Sequence, residues 1–230
     1  MRTGDSSLPL VTIHYAQTLD GRIATCTGQS QWVSGDASLE LAHRLRASHE
    51  AIMVGVGTVI ADNPRLTVRL TEGRSPRRII LDSRLRLPLD SLVLTDGAAE
   101  TLVATTIGAH PERVRALCET GAEILMVSQD AQGRVDLSEL LCRLGALGIA
   151  SVLIEGGRGI ITSALRGRLF SRLVICIAPK IIGKGVEAVG DLNIRSLTDA
   201  LTFARTTYTP LGGDIIFDGE LQPAYQLQHR

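Results

Sequence analysis

Two rhythms of apolar and polar positions alternate along this chain. Short, nearly unbroken apolar runs of the kind that fill a buried strand recur at VTIHYA (11–16), AIMVG (51–55), RRIILD (77–82), TLVAT (101–105), AEILMVS (122–128), SVLIEGG (151–157) and RLVICIAP (172–179). Between them lie stretches with helical spacing. Ser34 is placed to cap a helix that runs to about Ser48, with Asp36 in its first turn and Leu41, Ala42 and Leu45 on one face. Gly55-Val56-Gly57-Thr58 opens a short helix that ends at Asn63-Pro64, because proline disfavours helix in the residue before it. Further helices begin at Pro111, cover 136–148, and run from Gly157 to about Leu165. Two β-like runs, FARTTYT (203–209) and DIIFDG (214–219), joined by Pro-Leu-Gly-Gly, read as a closing hairpin. Strands alternating with helices predict an α/β fold: a mostly parallel sheet flanked by helices, with an antiparallel hairpin at the C-terminus. Residues 1–10 read as a disordered tail. No linker or repeat divides 11–230, which reads as a single domain.

Composition narrows the functional classes. Of 230 residues 44% are hydrophobic and 21% charged, which is the make-up of a soluble globular protein rather than a disordered one. Lys+Arg and Asp+Glu both number 24, so there is no net charge to draw nucleic acid or an anionic membrane. Aromatics at 3% leave few stacking platforms for single strands. No apolar run approaches a bilayer span and residues 1–9 carry no hydrophobic signal core, which points to the cytoplasm. Cys26, Cys118, Cys142 and Cys176 are not at metal spacing. Three of them lie in apolar surroundings and read as buried reduced thiols. No metal site is expected, because the histidines form no ligand cluster.

In open α/β sheets ligands gather beyond the carboxyl ends of the strands. Here those ends carry Gln17-Thr18-Leu19-Asp20-Gly21, Gly55-Val56-Gly57-Thr58, Asp82-Ser83-Arg84, Thr105-Thr106 and Glu155-Gly156-Gly157-Arg158-Gly159. Glycines, hydroxyls and a few charges suit a phosphate-bearing ligand. LIEGGRG lets the backbone approach a phosphate at a helix start, or is simply a tight strand-to-helix turn; it is not a GxGxxG fingerprint. Ser83 and Arg84 suit an adenosine 2′-phosphate, or form an ordinary loop. Trp32 is either a loop anchor or a wall for a planar ring. No nucleophilic triad is evident, which mildly favours hydride transfer.

TLDGRIA, GQSQW, LRASHEAIMVGVGTVIADNPRLTVR, RIILDS, LIEGG and IAPKIIG occur in that order. Together they closely resemble the reductase domain of the bifunctional riboflavin-biosynthesis deaminase/reductase and the stand-alone pyrimidine reductases of that pathway, within the dihydrofolate-reductase-like superfamily. The resemblance implies NADPH-dependent reduction of a ribosylamino-pyrimidine 5′-phosphate, with hydride delivered to ribose C1′ of an open-chain imine. It implies that Ala16, Trp32, Thr58, Asp62 and Ser83 line the NADPH site, and that Gly157, Arg158, Gly159, Ile160, Ile161, Thr162 and Ser163 hold its phosphates. It places Ser30, Arg46, Leu66, Arg69 and Glu155 on the substrate, with Glu155 and His14 as catalytic candidates. Asp20 would be structural, holding loop N–H groups. A homodimer through the C-terminal strands is also implied. No H-x-E and P-C-x-x-C zinc motif occurs, so a separate deaminase is expected.

His14 departs from the family pattern, which has a lysine near the substrate in many members. A histidine there would titrate near neutrality. That departure keeps a second reading alive, a same-fold NADPH reductase of a different imine or a pterin. A third, a non-catalytic nucleotide-binding module, follows from the lack of an obvious acid–base residue.

Overall fold

The structure is a computed structural model that describes residues 8–222. The chain opens with β1 (Leu10–Thr18), β2 (Arg22–Thr25), α1 (Asp36–Ala47), β3 (Ala51–Gly55) and α2 (Val56–Asp62). It continues through β4 (Arg77–Leu81), the single turn α3 (Leu92–Thr95), β5 (Thr101–Thr106), α4 (Pro111–Glu119) and β6 (Glu123–Val127). Then come α5 (Leu137–Ala146), β7 (Ser151–Gly156), α6 (Arg158–Arg166), β8 (Arg172–Ala178), the short β9 (Gly185–Glu187), β10 (Phe203–Leu211) and β11 (Asp214–Leu221).

Nine strands form one sheet in the order β10-β11-β8-β1-β7-β3-β4-β5-β6. The seven from β8 to β6 are parallel, and β11 and β10 add antiparallel to β8. The chain steps outward from β3 to β6, then returns to insert β7 between β1 and β3 and to lay β8 on the other side of β1. The strand ends around β1, β7 and β3 therefore border a topological switch, where helices leave the sheet in different directions and a crevice opens.

The apolar runs are unbroken because both sheet faces are covered. In β3, Met53 packs into one apolar cluster with Ile13, Ile154, Leu140 and Ile161, while Ile52 and Val54 pack into another with Ile80, Val103 and Leu117. The central residues Ile52, Met53, Ile79, Ile80, Leu102 and Ile154 are completely buried. Arg78 is as deeply buried as they are. Its guanidinium makes a bidentate bond to Asp96 at 2.7 and 2.8 Å and donates to the carbonyls of Val93 and Ala99. This pair fastens the α3 loop beneath β4.

Several boundaries differ from the sequence reading, each because a partner element decides them. β1 starts at Leu10, inside the expected tail, and runs through Gln17 and Thr18, expected as turn, because its register with β8 continues to Thr18 opposite Ala178. The rest of that tail call, residues 1–7, lies outside the described residues, as do 223–230. α1 is capped at Gly35 rather than Ser34. The cap is supplied from β11: the Asp214 carboxylate accepts the Gly35 N–H at 2.8 Å and the Ser38 hydroxyl at 2.6 Å. β10 runs on through Pro210 and Leu211, leaving Gly212-Gly213 as the turn. All four cysteines are free, but only Cys176 is buried; Cys118 and Cys142 fall on the solvent sides of α4 and α5. β2 and β9, a separate two-stranded sheet, escape the sequence reading because four- and three-residue strands carry too little pattern. Among the described residues no helix is long and apolar enough to cross a membrane.

Asp96→Ala is expected to lower unfolding free energy by about 3 to 5 kcal/mol, since it leaves the Arg78 charge buried without a partner. A urea titration measures this; a midpoint within error of wild type would show that the pair does not hold the loop.

Candidate functional site

Strand β7 carries an irregularity that builds the site. Its register against β3 pairs Ile154 with Met53 and Gly156 with Val54, so Glu155 is an extra residue with no partner. A β-bulge of this kind re-aims a side chain out of the ladder. Gly156 takes φ +136°, a conformation that a side chain would oppose, and lets the strand recover. The Glu155 carboxylate consequently projects into a cavity and meets Arg46 from the last turn of α1. Arg46 Nε donates to Oε1 at 2.8 Å, Nη2 donates to Oε2 at 2.6 Å, and Nη1 donates to the Thr67 carbonyl at 3.1 Å. Burial works against both charges, but each is stabilised by the other: the Glu155 carboxyl is held below its ordinary range and the Arg46 guanidinium above its own.

That pair lines a cavity of about 290 Å³ with His14, Ala16, Ser30, Trp32, Thr58, Asp62, Gly157 and Ile161. It adjoins a second cavity of about 510 Å³, lined among others by Thr58, Asp62, Ser83, Arg86, Arg134, Gly157, Arg158, Gly159, Ile160 and Ser163. The two share Ile23, Ser30, Thr58, Asp62 and Gly157. Two hydrogen bonds form this waist: Ser30 Oγ donates to Asp62 Oδ1 at 2.8 Å, and the Gly157 N–H donates to Thr58 Oγ1 at 3.1 Å. A Cβ on Gly157 would press on that same hydroxyl at 3.1 Å, so the glycine allows the close approach. A hollow of about 820 Å³ lies at the opposite ends of the strands and includes none of the expected residues.

The larger cavity is basic. Arg86, Arg134 and Arg158 line it with Asp62 as the only carboxylate. Arg134 is paired to Asp130 and Arg158 to Glu187, whereas Arg86 has no ion pair among the described residues. The first turn of α6 opens into it at Gly157–Gly159, where helix N–H groups and the dipole favour an anion. Ser83 accepts the Val135 N–H at 3.0 Å and keeps its own hydroxyl proton to donate.

The structure gathers most of the expected residues and separates a few. Ala16 and Trp32, expected on the cofactor, line the smaller cavity. Leu66 is core: it is 3% exposed, packed with Val54 and Ile80. Arg69 is exposed beyond the cavity wall, with its guanidinium on Thr67 Oγ1. Thr162 points away, donating to the Arg158 carbonyl and accepting the Gly190 N–H. Arg84 is exposed and lines neither cavity; besides the expected Arg158, the larger cavity carries Arg86 and Arg134, which periodicity could not select because loop geometry places them. His14 is buried, with Nε2 at 3.5 Å from Cys176 Sγ; burial lowers its pKa, against an opposing effect of Glu155, so it is not the near-neutral titrating group expected from sequence. Asp20 does hold loop N–H groups: its carboxylate accepts from Gly183 at 2.7 Å and Ile182 at 3.4 Å. Trp32 is 67% exposed, so it is no buried anchor. Its carbonyl and that of Val33 each accept from Lys180 Nζ at 2.8 Å, which the sequence reading did not single out.

Known proteins resemble the chain in sequence and in fold. The RibD C-terminal domain matches residues 9–217. A 2,5-diamino-6-ribosylamino-4(3H)-pyrimidinone 5′-phosphate reductase of Methanothermobacter thermautotrophicus is 40% identical over 216 residues, covering 91% of this chain and 97% of that protein. Riboflavin biosynthesis protein RibD of Aquifex aeolicus is 40% identical over 210 residues, covering 90% of this chain and 56% of that one; the chain thus spans about half the length of the RibD proteins it matches. The riboflavin biosynthesis reductase Rib7 of Saccharomyces cerevisiae superposes with a TM-score of 0.75 at 26% identity, over 96% of this chain and 93% of that structure. A dihydrofolate reductase of Enterococcus faecalis complexed with NADP(H), at 12% identity and a TM-score of 0.51 over 92% of this chain and 94% of its own, shares the fold alone.

Because the folded Glu155 carboxyl titrates below its unfolded value, its contribution to stability is fully present above the unfolded pKa and is lost as pH falls through the folded one. Glu155→Gln is therefore expected to unfold at lower temperature than wild type at neutral pH, by the equivalent of roughly 3 kcal/mol, with the gap closing in acid. Thermal melts across pH test this; a gap independent of pH would remove the ion pair as its cause.

Proposed function

The chain belongs to the RibD C-terminal domain family, and from that premise we propose that it is an NADPH-dependent reductase of a ribosylamino-pyrimidine 5′-phosphate, delivering hydride to ribose C1′ to give the ribitylamino product. The observation that carries this reading is the pair of cavities meeting at one polar waist. One is basic, glycine-lined and set on a helix start; the other holds a buried, fully ionised Arg46–Glu155 pair. A hydride acceptor and donor must sit face to face, and adjoining cavities with a shared wall are what that requires.

The larger cavity fits NADPH by its own chemistry. Its volume of about 510 Å³ is that of a small-molecule site, Gly157–Gly159 and the α6 start suit a pyrophosphate, and Arg86 with Ser83 suits a 2′-phosphate. When bound there, NADPH supplies the hydride. The chain's residues prepare the acceptor. The open-chain imine nitrogen takes a proton from solvent water, C1′ gains positive character, and the Glu155 carboxylate, kept ionised by Arg46, stabilises that charge until the hydride adds to C1′ and leaves the neutral amine. His14, neutral through burial, serves as a hydrogen-bonding wall rather than a phosphate ligand. Ser30 and Asp62 hold the waist between the two ligands. The diamino-pyrimidinone is favoured as substrate, because it is named for the Methanothermobacter relative that the chain spans nearly end to end. A cytoplasmic location accords with four free thiols. A homodimer through the exposed β10 and β11 accords with the outward Tyr208 and Ile215.

NADPH oxidation is expected with the diamino-pyrimidinone or the amino-uracil ribosylamino phosphate, and Arg46→Met should lower kcat/KM by about a hundredfold. Failure of both substrates while NADPH still binds would move the assignment to a different imine or a pterin. In the cofactor cavity, Arg86→Ala should raise KM for NADPH roughly tenfold and leave KM for NADH nearly unchanged. Equal effects on the two cofactors would remove Arg86 from the 2′-phosphate.

A further inference from the structure

His43 lines neither cavity, yet it is completely buried beside the site. It lies on α1 one turn before Arg46. Its Nδ1 accepts the Arg69 main-chain N–H at 2.9 Å, which places the ring proton on Nε2; that Nε2 has no partner among the described residues. Burial, then the charges of Arg46 and Arg69, push its pKa down to about 4, with Glu155 pulling weakly the other way, so the ring is neutral at neutral pH.

The bond closes a circuit. Arg69 follows Thr67, whose carbonyl accepts from Arg46 Nη1 at 3.1 Å and whose hydroxyl accepts from Arg69 Nη1 at 2.7 Å. His43 and Arg46 sit on the same helix, so the 67–69 segment is held to α1 at both ends. The segment needs holding, because Leu66 just before it sits at φ +54°, a conformation an L-residue keeps only when its surroundings fix it. A neutral acceptor is required at the His43 position: a carboxylate there would compete with Glu155 for Arg46. Buried polar groups left unpaired are uncommon, and tolerance of one at Nε2 indicates that the Nδ1 contact is what matters.

We propose that His43 is a positioning residue: by clamping the Arg69 main chain it fixes the 67–69 segment, whose Thr67 carbonyl holds Arg46, and so sets where the Arg46 guanidinium meets a phosphorylated substrate. The substrate in this statement rests on the reductase reading, while the clamp rests on geometry alone.

Three substitutions separate the roles of the ring. His43→Asn keeps an acceptor near the Nδ1 position, His43→Gln keeps only a group near Nε2, and His43→Leu keeps neither. His43→Asn should leave KM for the pyrimidine substrate within about twofold. His43→Gln and His43→Leu should raise it roughly tenfold, the scale of one lost hydrogen bond, with kcat and KM for NADPH unchanged. A purely structural role would lower kcat through loss of folded enzyme and leave both KM values alone. Equal damage from Asn and Leu, or equal shifts in both KM values, overturns the proposal. Amide exchange at Arg69, followed by 15N-resolved spectra, needs no substrate. It should accelerate in His43→Leu and His43→Gln but not in His43→Asn, and unchanged exchange in His43→Leu overturns the clamp. If wild type turns over neither pyrimidine, the reductase reading falls while the amide experiment still decides the clamp.

Discussion

The bidentate bond between Arg46 and Glu155 is the interaction on which the site depends. It joins the end of α1 to a bulge in β7, and through Thr67 it draws in the segment after α2. Taking two charges out of water costs several kcal/mol each, and a buried pair seldom repays more than it costs. An apolar pair of similar volume would serve the fold as well. The ion pair sits at the mouth of a parallel sheet, and its carboxylate leaves the strand register to reach the arginine. The Arg78–Asp96 pair is the contrast. It is more completely dehydrated but lies away from both cavities and has a purely architectural setting.

A second layer of contacts fixes the loops around that pair. Asp20 at the end of β1 holds the 182–183 backbone, Lys180 in the same loop donates to the carbonyls of Trp32 and Val33, and Asp214 from the last strand caps α1. Elements from the beginning, middle and end of the chain thereby converge on one crevice. The Thr18 hydroxyl, hydrogen-bonded to Asp20 at 2.6 Å, together with the loop N–H groups, holds that carboxyl below its ordinary pKa. The turn after β1 is thus an anchor for the far loop.

Most of the fold is legible in the sequence, since a strand covered on both faces must be a continuous apolar run and a helix on such a sheet must show one apolar side. The strands around Met53, Ile80, Val103 and Ile154 and the helices begun by Pro111 and Asp136 follow from those rules alone. The strand-end inventory also picks out Thr58, Ser83, Glu155 and Gly157, because chain direction in a parallel sheet puts every such end on one edge. The pattern of residues likewise contains the family resemblance, and with it the expectation of a nicotinamide cofactor and a pyrimidine phosphate.

Tertiary structure decides the rest. That Glu155 leaves its ladder depends on register with β3, which no local pattern encodes. That Gly35 rather than Ser34 caps α1 depends on Asp214, distant in sequence. That Arg86 and not Arg84 faces the basic cavity depends on a loop's path, and that Leu66 is core while Arg69 lies outside depends on one residue's left-handed turn. His14 changes character for the same reason: its type suggests a group titrating near neutrality, and only burial between β8 and the ion pair makes it neutral. Local sequence sets which elements form and which chemistry is available. Which side chains meet, and in what state of charge, is set by partners far along the chain, because hydrogen bonds and desolvation act through space.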